Sequence, residues 1–172
     1  MRIFLVGFMG AGKSVIGRRL AKSLNISFYD LDEEIESRYK MSVTSIFQKY
    51  DEACFRKLET TVLESFSEKD NYVLSCGGGT PCFGNNMALL NSLGTTIYIK
   101  LPAEKLAGRI ANSFHKRPLT EGKLEAELAS YVRETLNVRE PFYSMAQITV
   151  AGSETDKDEL VEKIVQILNK EI

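Results

Sequence analysis

Histidine occurs once in this chain, cysteine three times and proline four times, and 22 Lys and Arg nearly cancel 23 Asp and Glu. Each shortage removes a class of function. The lone His115 has no identifiable partner, so it reads as an exposed loop residue rather than a catalytic base. Cys54, Cys76 and Cys82 are odd in number and lack C-x-x-C spacing. That disfavours a disulfide framework or a zinc site and suits a reducing cytoplasm. Cys76, just before three glycines, reads as a small core residue rather than a catalytic thiol. With no excess of either charge there is no field to gather nucleic acid or an anionic membrane surface. No apolar run is long enough to span a bilayer, and repeats and low-complexity linkers are absent. The apolar residues after Arg2 do not make a secretory signal, because Lys13, Arg18 and Arg19 follow at once.

What remains is the balance of an ordinary globule, with 44% apolar and 26% charged residues in 172. One domain spanning 1–172 is expected, able to bury roughly 70% of its unfolded surface without disulfides or structural metal.

The stretch around which the chain is organised is Gly7 to Ser14, Gly-Phe-Met-Gly-Ala-Gly-Lys-Ser. It fits G-x-x-x-x-G-K-[ST] between an apolar strand, Ile3 to Val6, and a helical pattern from Lys13, the context that a phosphate loop requires. Its glycines, with Gly10 added to Gly7 and Gly12, let backbone N–H groups turn inward around a polyphosphate, and the following helix presents its positive end. Lys13 can reach the outer phosphates, and the Ser14 hydroxyl is an oxygen donor of the kind Mg²⁺ prefers.

Along the chain, Arg2 to Gly7 predicts a buried strand, followed by a helix to about Leu24 and a second strand over Ile26 to Asp30. Asp30-Leu31-Asp32 then leaves the sheet at its carboxyl edge, where α/β proteins bind ligands. Asp32 could equally cap the next helix, being followed by Glu33 and Glu34. From 32 to about 68 the chain reads as a helical insertion, with Ser42 capping a short helix and a longer one starting near Asp51. Arg56 and Glu59, three apart on that helix, would by default be a solvated pair of small value. Tyr72 to Ser75 predicts a third strand ending in Gly77-Gly78-Gly79, whose entropic cost suggests close approach of a ligand to bare backbone. Asn85 caps a helix to Leu93, Thr95 to Leu101 is a fourth strand, and Pro102 opens the next helix. Residues 111–122 have no helical periodicity and read as a lid carrying Arg117-Pro118. A helix from Lys123 to about Val138 is limited by Pro141. Ile148 to Val150 is a fifth strand, and Thr155 with Asp158 caps the last helix.

In this order and spacing, the phosphate loop, Asp30-x-Asp32, Phe55-Arg56-x-x-Glu59, Gly77-Gly78-Gly79, Arg117-Pro118-Leu119 and Arg139-x-Pro141-x-Tyr143 resemble the shikimate kinase family of P-loop proteins, over nearly the whole chain. The resemblance implies a three-layer α/β sandwich with a five-stranded parallel sheet, a helical substrate-binding insertion and a lid. It implies ATP as co-substrate, Mg²⁺ as cofactor, shikimate as acceptor, and a monomer. Gly10, Ala11, Gly12, Lys13, Ser14 and Val15, with Arg109 and Arg117, would hold the nucleotide. Asp32, Arg56, Gly77, Gly78, Gly79 and Arg139 would hold shikimate, so Arg56 and Arg139 should meet in space. Ser14 and Asp30 would serve the metal, and Lys13, Asp32 and Arg117 the chemistry. Val15 stands where the family usually repeats a hydroxyl. The segment between Arg109 and Arg117 is one residue longer than usual, and the late adenine loop, near residues 151–154, has no arginine. Another small-molecule kinase, such as a gluconate kinase, would share the loop, lid and fold, but not the two arginines with the glycine triplet. A guanine-nucleotide switch would show Asp-x-x-Gly and Asn-Lys-x-Asp, and neither occurs.

Overall fold

The computed structural model describes residues 1–112, 125–152 and 156–170. Its centre is a five-stranded, wholly parallel sheet of β1 (Arg2–Val6), β2 (Ser27–Asp30), β3 (Tyr72–Ser75), β4 (Thr95–Lys100) and β5 (Ile148–Ala151), in the order β2-β3-β1-β4-β5. Parallel neighbours need crossovers, and helices supply them. These are α1 (Lys13–Leu24), α2 (Leu31–Tyr39), α3 (Val43–Lys49), α4 (Glu52–Ser65), α5 (Asn86–Leu93), α6 (Ala103–Ala111), α7 (Glu125–Tyr143) and α8 (Lys157–Leu168). Ile3, Phe4, Leu5 and Val6 of β1 are fully buried, the near-continuous apolar run expected of a strand covered on both faces. Among the described residues no helix is long and apolar enough to cross a membrane.

The strand order positions the site. The chain steps from β1 past β3 to lay down β2, returns to fill the gap with β3, and then crosses β1 to reach β4. The connections therefore reverse direction beside β1, and a crevice opens at the carboxyl ends of β1 and β3. The phosphate loop follows β1 and the glycine triplet follows β3, so adjacent strands deliver two loops far apart in sequence to one place. Cys76 N–H donates to the Leu5 carbonyl (3.0 Å), carrying the pairing to the point where both loops begin.

Local chemistry sets the helix boundaries. Ser42 caps α3 by accepting from Ser45 N–H, and Asp51 caps α4 by accepting from Cys54 N–H. Three expectations need correction. Helix α2 starts directly after β2, so its cap is Asp30, which accepts from Asp32 N–H (3.1 Å), and Asp32 sits in the first turn. Helix α8 is capped by Asp156, accepting from Asp158 N–H, while Thr155 lies outside the described residues. Helix α7 runs through Pro141 to Tyr143. Proline there removes only the one bond its N–H would have made to Asn137, and the helix ends within three residues, so the tertiary contacts of its last turn prevail. Two caps are also weaker than the sequence implied: Asn85 precedes α5 without a side-chain cap bond, and Pro102 is the cap residue of α6 rather than its first helical residue. Helix α6 includes Ala111, so the expected lid begins no earlier than Asn112. Its remainder, with His115 and Arg117, lies outside the described residues.

Candidate active site

The phosphate loop is held open by backbone that only glycine adopts easily. Gly12 lies at φ 93° immediately before α1, and a side chain in that conformation would be strained. The loop thereby leads into α1 at its first residue, Lys13, and a helix start of this kind favours an anion in the crevice. Lys13 is 8% exposed, and its Nζ donates to the carbonyls of Gly7 (2.8 Å) and Phe8 (2.9 Å), which fixes an ammonium at the loop's rim. Ser14 Oγ donates to Asp30 Oδ2 (2.6 Å) and lies 3.2 Å from Ser75 Oγ. The strand register explains this trio, since Asp30 pairs with Ser75 across β2 and β3 and Ser75 with Leu5 across β3 and β1. Asp30 uses one oxygen to cap α2 and the other to meet Ser14. A hydroxyl and a carboxylate at the start of α1 are hard oxygen donors, and they fit a magnesium ion that keeps most of its water and phosphate ligands.

Across the crevice the glycine triplet gathers groups from four elements. A Cβ built on Gly78 would stand 3.1 Å from Met9 N of the phosphate loop and 3.7 Å from Arg139 Nη1. One on Gly77 would stand 3.3 Å from Asp32 Oδ1, and one on Gly79 would collide with the guanidinium of Arg56, with Nη1 at 2.8 Å. Gly79 is therefore glycine because a cation occupies the place of its side chain. Residues 56 and 139 consequently converge, their guanidinium tips no more than about 13 Å apart given a Cα spacing of about 3.8 Å. Arg56, Arg139 and Asp32 thus each lie against one glycine of the triplet.

The two arginines are held differently. Arg56 and Glu59 are 9% and 0% exposed, so the solvated pair expected from their spacing is in fact buried. Arg56 Nη1 donates to Glu59 Oε2 (2.8 Å), and its Nε and Nη2 donate to Glu52 Oε1 (3.3 and 3.0 Å). The Phe83 ring lies 4.2 Å from the guanidinium carbon, a cation–π contact that fixes the plane of the fork. Glu59 also accepts from Thr80 Oγ1, and Asn86 ties the assembly together by donating to the Thr80 carbonyl (3.0 Å) and accepting from Thr60 (3.1 Å). Arg139, by contrast, forms no salt bridge with a carboxylate among the described residues, and its guanidinium lies 5.7 Å from the Phe8 ring centre. A guanidinium without a carboxylate beside a bare glycine backbone is a place for an anion. Arg109 Nη1 approaches the carbonyls of Gly10 and Ala11 at 3.4 Å, bringing the end of α6 over the phosphate loop. Val15 is 42% exposed on the outer side of α1's first turn.

From the sequence Glu59 was read as a solvated partner of Arg56 and Tyr143 only as part of a motif, and Ser75, Thr80 and Cys82 were missed. Tyr143 is fully buried and its hydroxyl donates to the Gly78 carbonyl (2.6 Å), pinning the triplet from below. The signal for Thr80 was its place directly after the glycines. Cys82 sits within the field of both arginines, yet burial outweighs them and pushes its thiol up to about 11. It stays protonated below that pH, so alkylation of the native protein at pH 8 is expected to leave Cys82 unmodified, as checked by peptide mass spectrometry. Labelling at pH 8 as fast as in denatured protein would show an open thiol instead.

A family model described as shikimate kinase matches residues 9–169. The shikimate kinase of Parabacteroides distasonis is 41% identical over 171 residues, covering 97% of this chain and 99% of that one. The crystal structure of the shikimate kinase from Bacteroides thetaiotaomicron superposes with a TM-score of 0.94 at 36% identity, covering 98% of each chain. That of the Acinetobacter baumannii shikimate kinase in complex with shikimate gives 0.91 at 33%, covering 99% of this chain and 93% of the other. With the phosphate loop, the buried Arg56–Glu59 pair and the glycine triplet in one crevice, the chain belongs to the shikimate kinase family, whose reaction moves the γ-phosphoryl group of ATP to the 3-hydroxyl of shikimate, giving shikimate 3-phosphate and ADP.

Proposed function

We propose that Arg56, Arg139, Asp32 and the Gly77–Gly79 backbone are the acceptor site of this kinase, and that Gly10 to Val15 with Arg109 hold ATP. One observation carries the reading. Two arginines from separate helices lie against adjacent glycines, and those glycines touch the phosphate loop through Gly78 and Met9. A ring acid whose carboxylate is gripped by the arginines would present its hydroxyls to Asp32 on one side and to the nucleotide on the other. Planar forks suit a carboxylate because two parallel N–H···O bonds fix its direction as well as its position. The shikimate bound in the Acinetobacter baumannii structure supports an acceptor of this chemistry.

Asp32 orients the attacking hydroxyl and accepts its proton as the oxygen becomes a nucleophile. Lys13 exchanges loop carbonyls for phosphate oxygens and offsets charge on the group in transit. Arg117 shares that role on the strength of the family resemblance. Ser14 and Asp30 would hold Mg²⁺, which would supply positive charge to offset that of the phosphates. The helical insertion of residues 32–68 is the acceptor lobe, since it contributes Asp32 and Arg56, and residues 112–122 would be the lid that the family resemblance implies. The protein acts as a monomer in the cytoplasm, where its three free cysteines stay reduced.

The reading is tested by Arg139→Lys. An ammonium is a point charge and does not reproduce the fork, so the shikimate KM is expected to rise by roughly tenfold or more, with the KM for ATP unchanged. An unchanged shikimate KM would remove Arg139 from the acceptor site. Preference for gluconate or AMP over shikimate as acceptor, followed by ADP release, would overturn the whole assignment.

A further inference from the structure

Arg139 forms no salt bridge among the described residues; the side chain that hydrogen-bonds it is Tyr143, four residues on, so its aim depends on how the turn that carries both is held. It is the last turn of α7, where Pro141 has already removed one helical hydrogen bond. Two neighbours tie this turn to the rest of the protein. Tyr143 donates to the Gly78 carbonyl. Glu140, adjacent to Arg139, accepts from two groups of β4: Tyr98 Oη at 2.5 Å on Oε2 and Lys100 Nζ at 2.6 Å on Oε1. The two attachments meet, because the rings of Tyr98 and Tyr143 pack with centroids 5.2 Å apart. Glu140, Tyr98 and Tyr143 thus join the strand beside the phosphate-loop strand, the helix end that bears Arg139, and the glycine loop that Arg139 faces.

We propose that Glu140, held by Tyr98 and Lys100, is the positioning residue that aims Arg139 at the carboxylate of the acceptor. The inference rests on the acceptor-site reading given above and deepens it. The two bonds differ in weight. Tyr98 is buried and its hydroxyl meets an ionised acceptor, the stronger kind of hydrogen bond. Lys100 is 56% exposed at its side chain, and an exposed ion pair contributes little. Tyr98→Phe keeps the ring packed on Tyr143 and removes only the hydroxyl, so it isolates the bond from the packing.

The experiment measures the shikimate KM, the ATP KM and kcat for Glu140→Ala, Tyr98→Phe and Lys100→Met, together with the inhibition constant of shikimate methyl ester, which lacks the carboxylate charge. Glu140→Ala is expected to raise the shikimate KM by roughly fivefold, about 1 kcal/mol at 1.4 kcal/mol per tenfold. Tyr98→Phe should give most of that rise and Lys100→Met little, with ATP KM and kcat within about twofold of the parent, a smaller span than the fivefold effect sought. The ester constant should not move, because a ligand without the charge makes no use of Arg139's aim. If Glu140→Ala weakens acid and ester by the same factor, or raises the ATP KM equally, Glu140 is a fold residue and the proposal fails. If the parent enzyme itself does not prefer the acid to the ester, the carboxylate grip fails first, and that outcome is distinguishable from the other.

Discussion

Asp32→Asn is expected to lower kcat by about 10²- to 10⁴-fold, the range that a positioned general base contributes, while ATP binding is retained. The geometry makes the substitution informative. Asp30, not Asp32, caps α2, so the asparagine removes no helix cap, and the backbone N–H of residue 32 keeps its bond to Asp30. The carboxylate of Asp32 instead faces the space above Gly77, on the acceptor side of the crevice, with Oδ1 3.3 Å from where a side chain on that glycine would begin. Asparagine has nearly the same size and can still accept one hydrogen bond from a hydroxyl, but it does not take the proton. Binding of ATP by calorimetry should be nearly unchanged, and the melting temperature should stay within a few degrees, as expected for a small ΔΔG. Turnover within about threefold of the parent would show that Asp32 orients the acceptor without accepting its proton, since loss of a base costs at least about a hundredfold.

The parts of the fold written in local pattern were legible from residues alone. A buried strand, a glycine-rich turn and an amphipathic helix place the phosphate loop without reference to anything distant, and the apolar runs at Tyr72 and Thr95 locate β3 and β4 in the same way. What the sequence hid depends on partners far along the chain. Arg56 and Glu59 look like a surface pair because spacing on a helix says nothing of what covers it. The cover comes from Thr80, Phe83 and Asn86, more than twenty residues later. The passage of α7 through Pro141 was hidden for the same reason, since the bonds that stabilise its last turn come from Gly78, Tyr98 and Lys100. The caps at Asp30 and Asp156 were off by one or two residues, the usual reach of boundary error, and at Asp30 the strand and the helix adjoin without a loop.

Glu59→Ala is expected to destabilise the protein by about 3–5 kcal/mol, the cost of leaving the partner of a buried ion pair uncompensated. For a chain of this size that is a fall in melting temperature of roughly 10 °C. Glu59 is fully buried and accepts from Arg56 and Thr80 together, so its loss leaves Nη1 of the guanidinium and a buried hydroxyl without their acceptor at once, while Glu52 still holds the other side of the fork. Glu59→Gln keeps the volume and one accepting oxygen, so it should fold with a smaller loss. The catalytic signature of the glutamine variant separates this residue from Asp32. Arg56 would keep the Phe83 contact and the Glu52 bonds but lose the charge that holds Nη1 against Gly79. The shikimate KM should therefore rise several-fold, in line with a charge-assisted bond exchanged for a neutral one, while kcat at saturating acceptor falls little. Thermal melting with steady-state kinetics on both variants checks the pair of expectations. A glutamine variant with parental shikimate KM would mean that Phe83 and Glu52 alone hold the fork, and an alanine variant with parental melting temperature would mean that Arg56 finds water when its partner is removed.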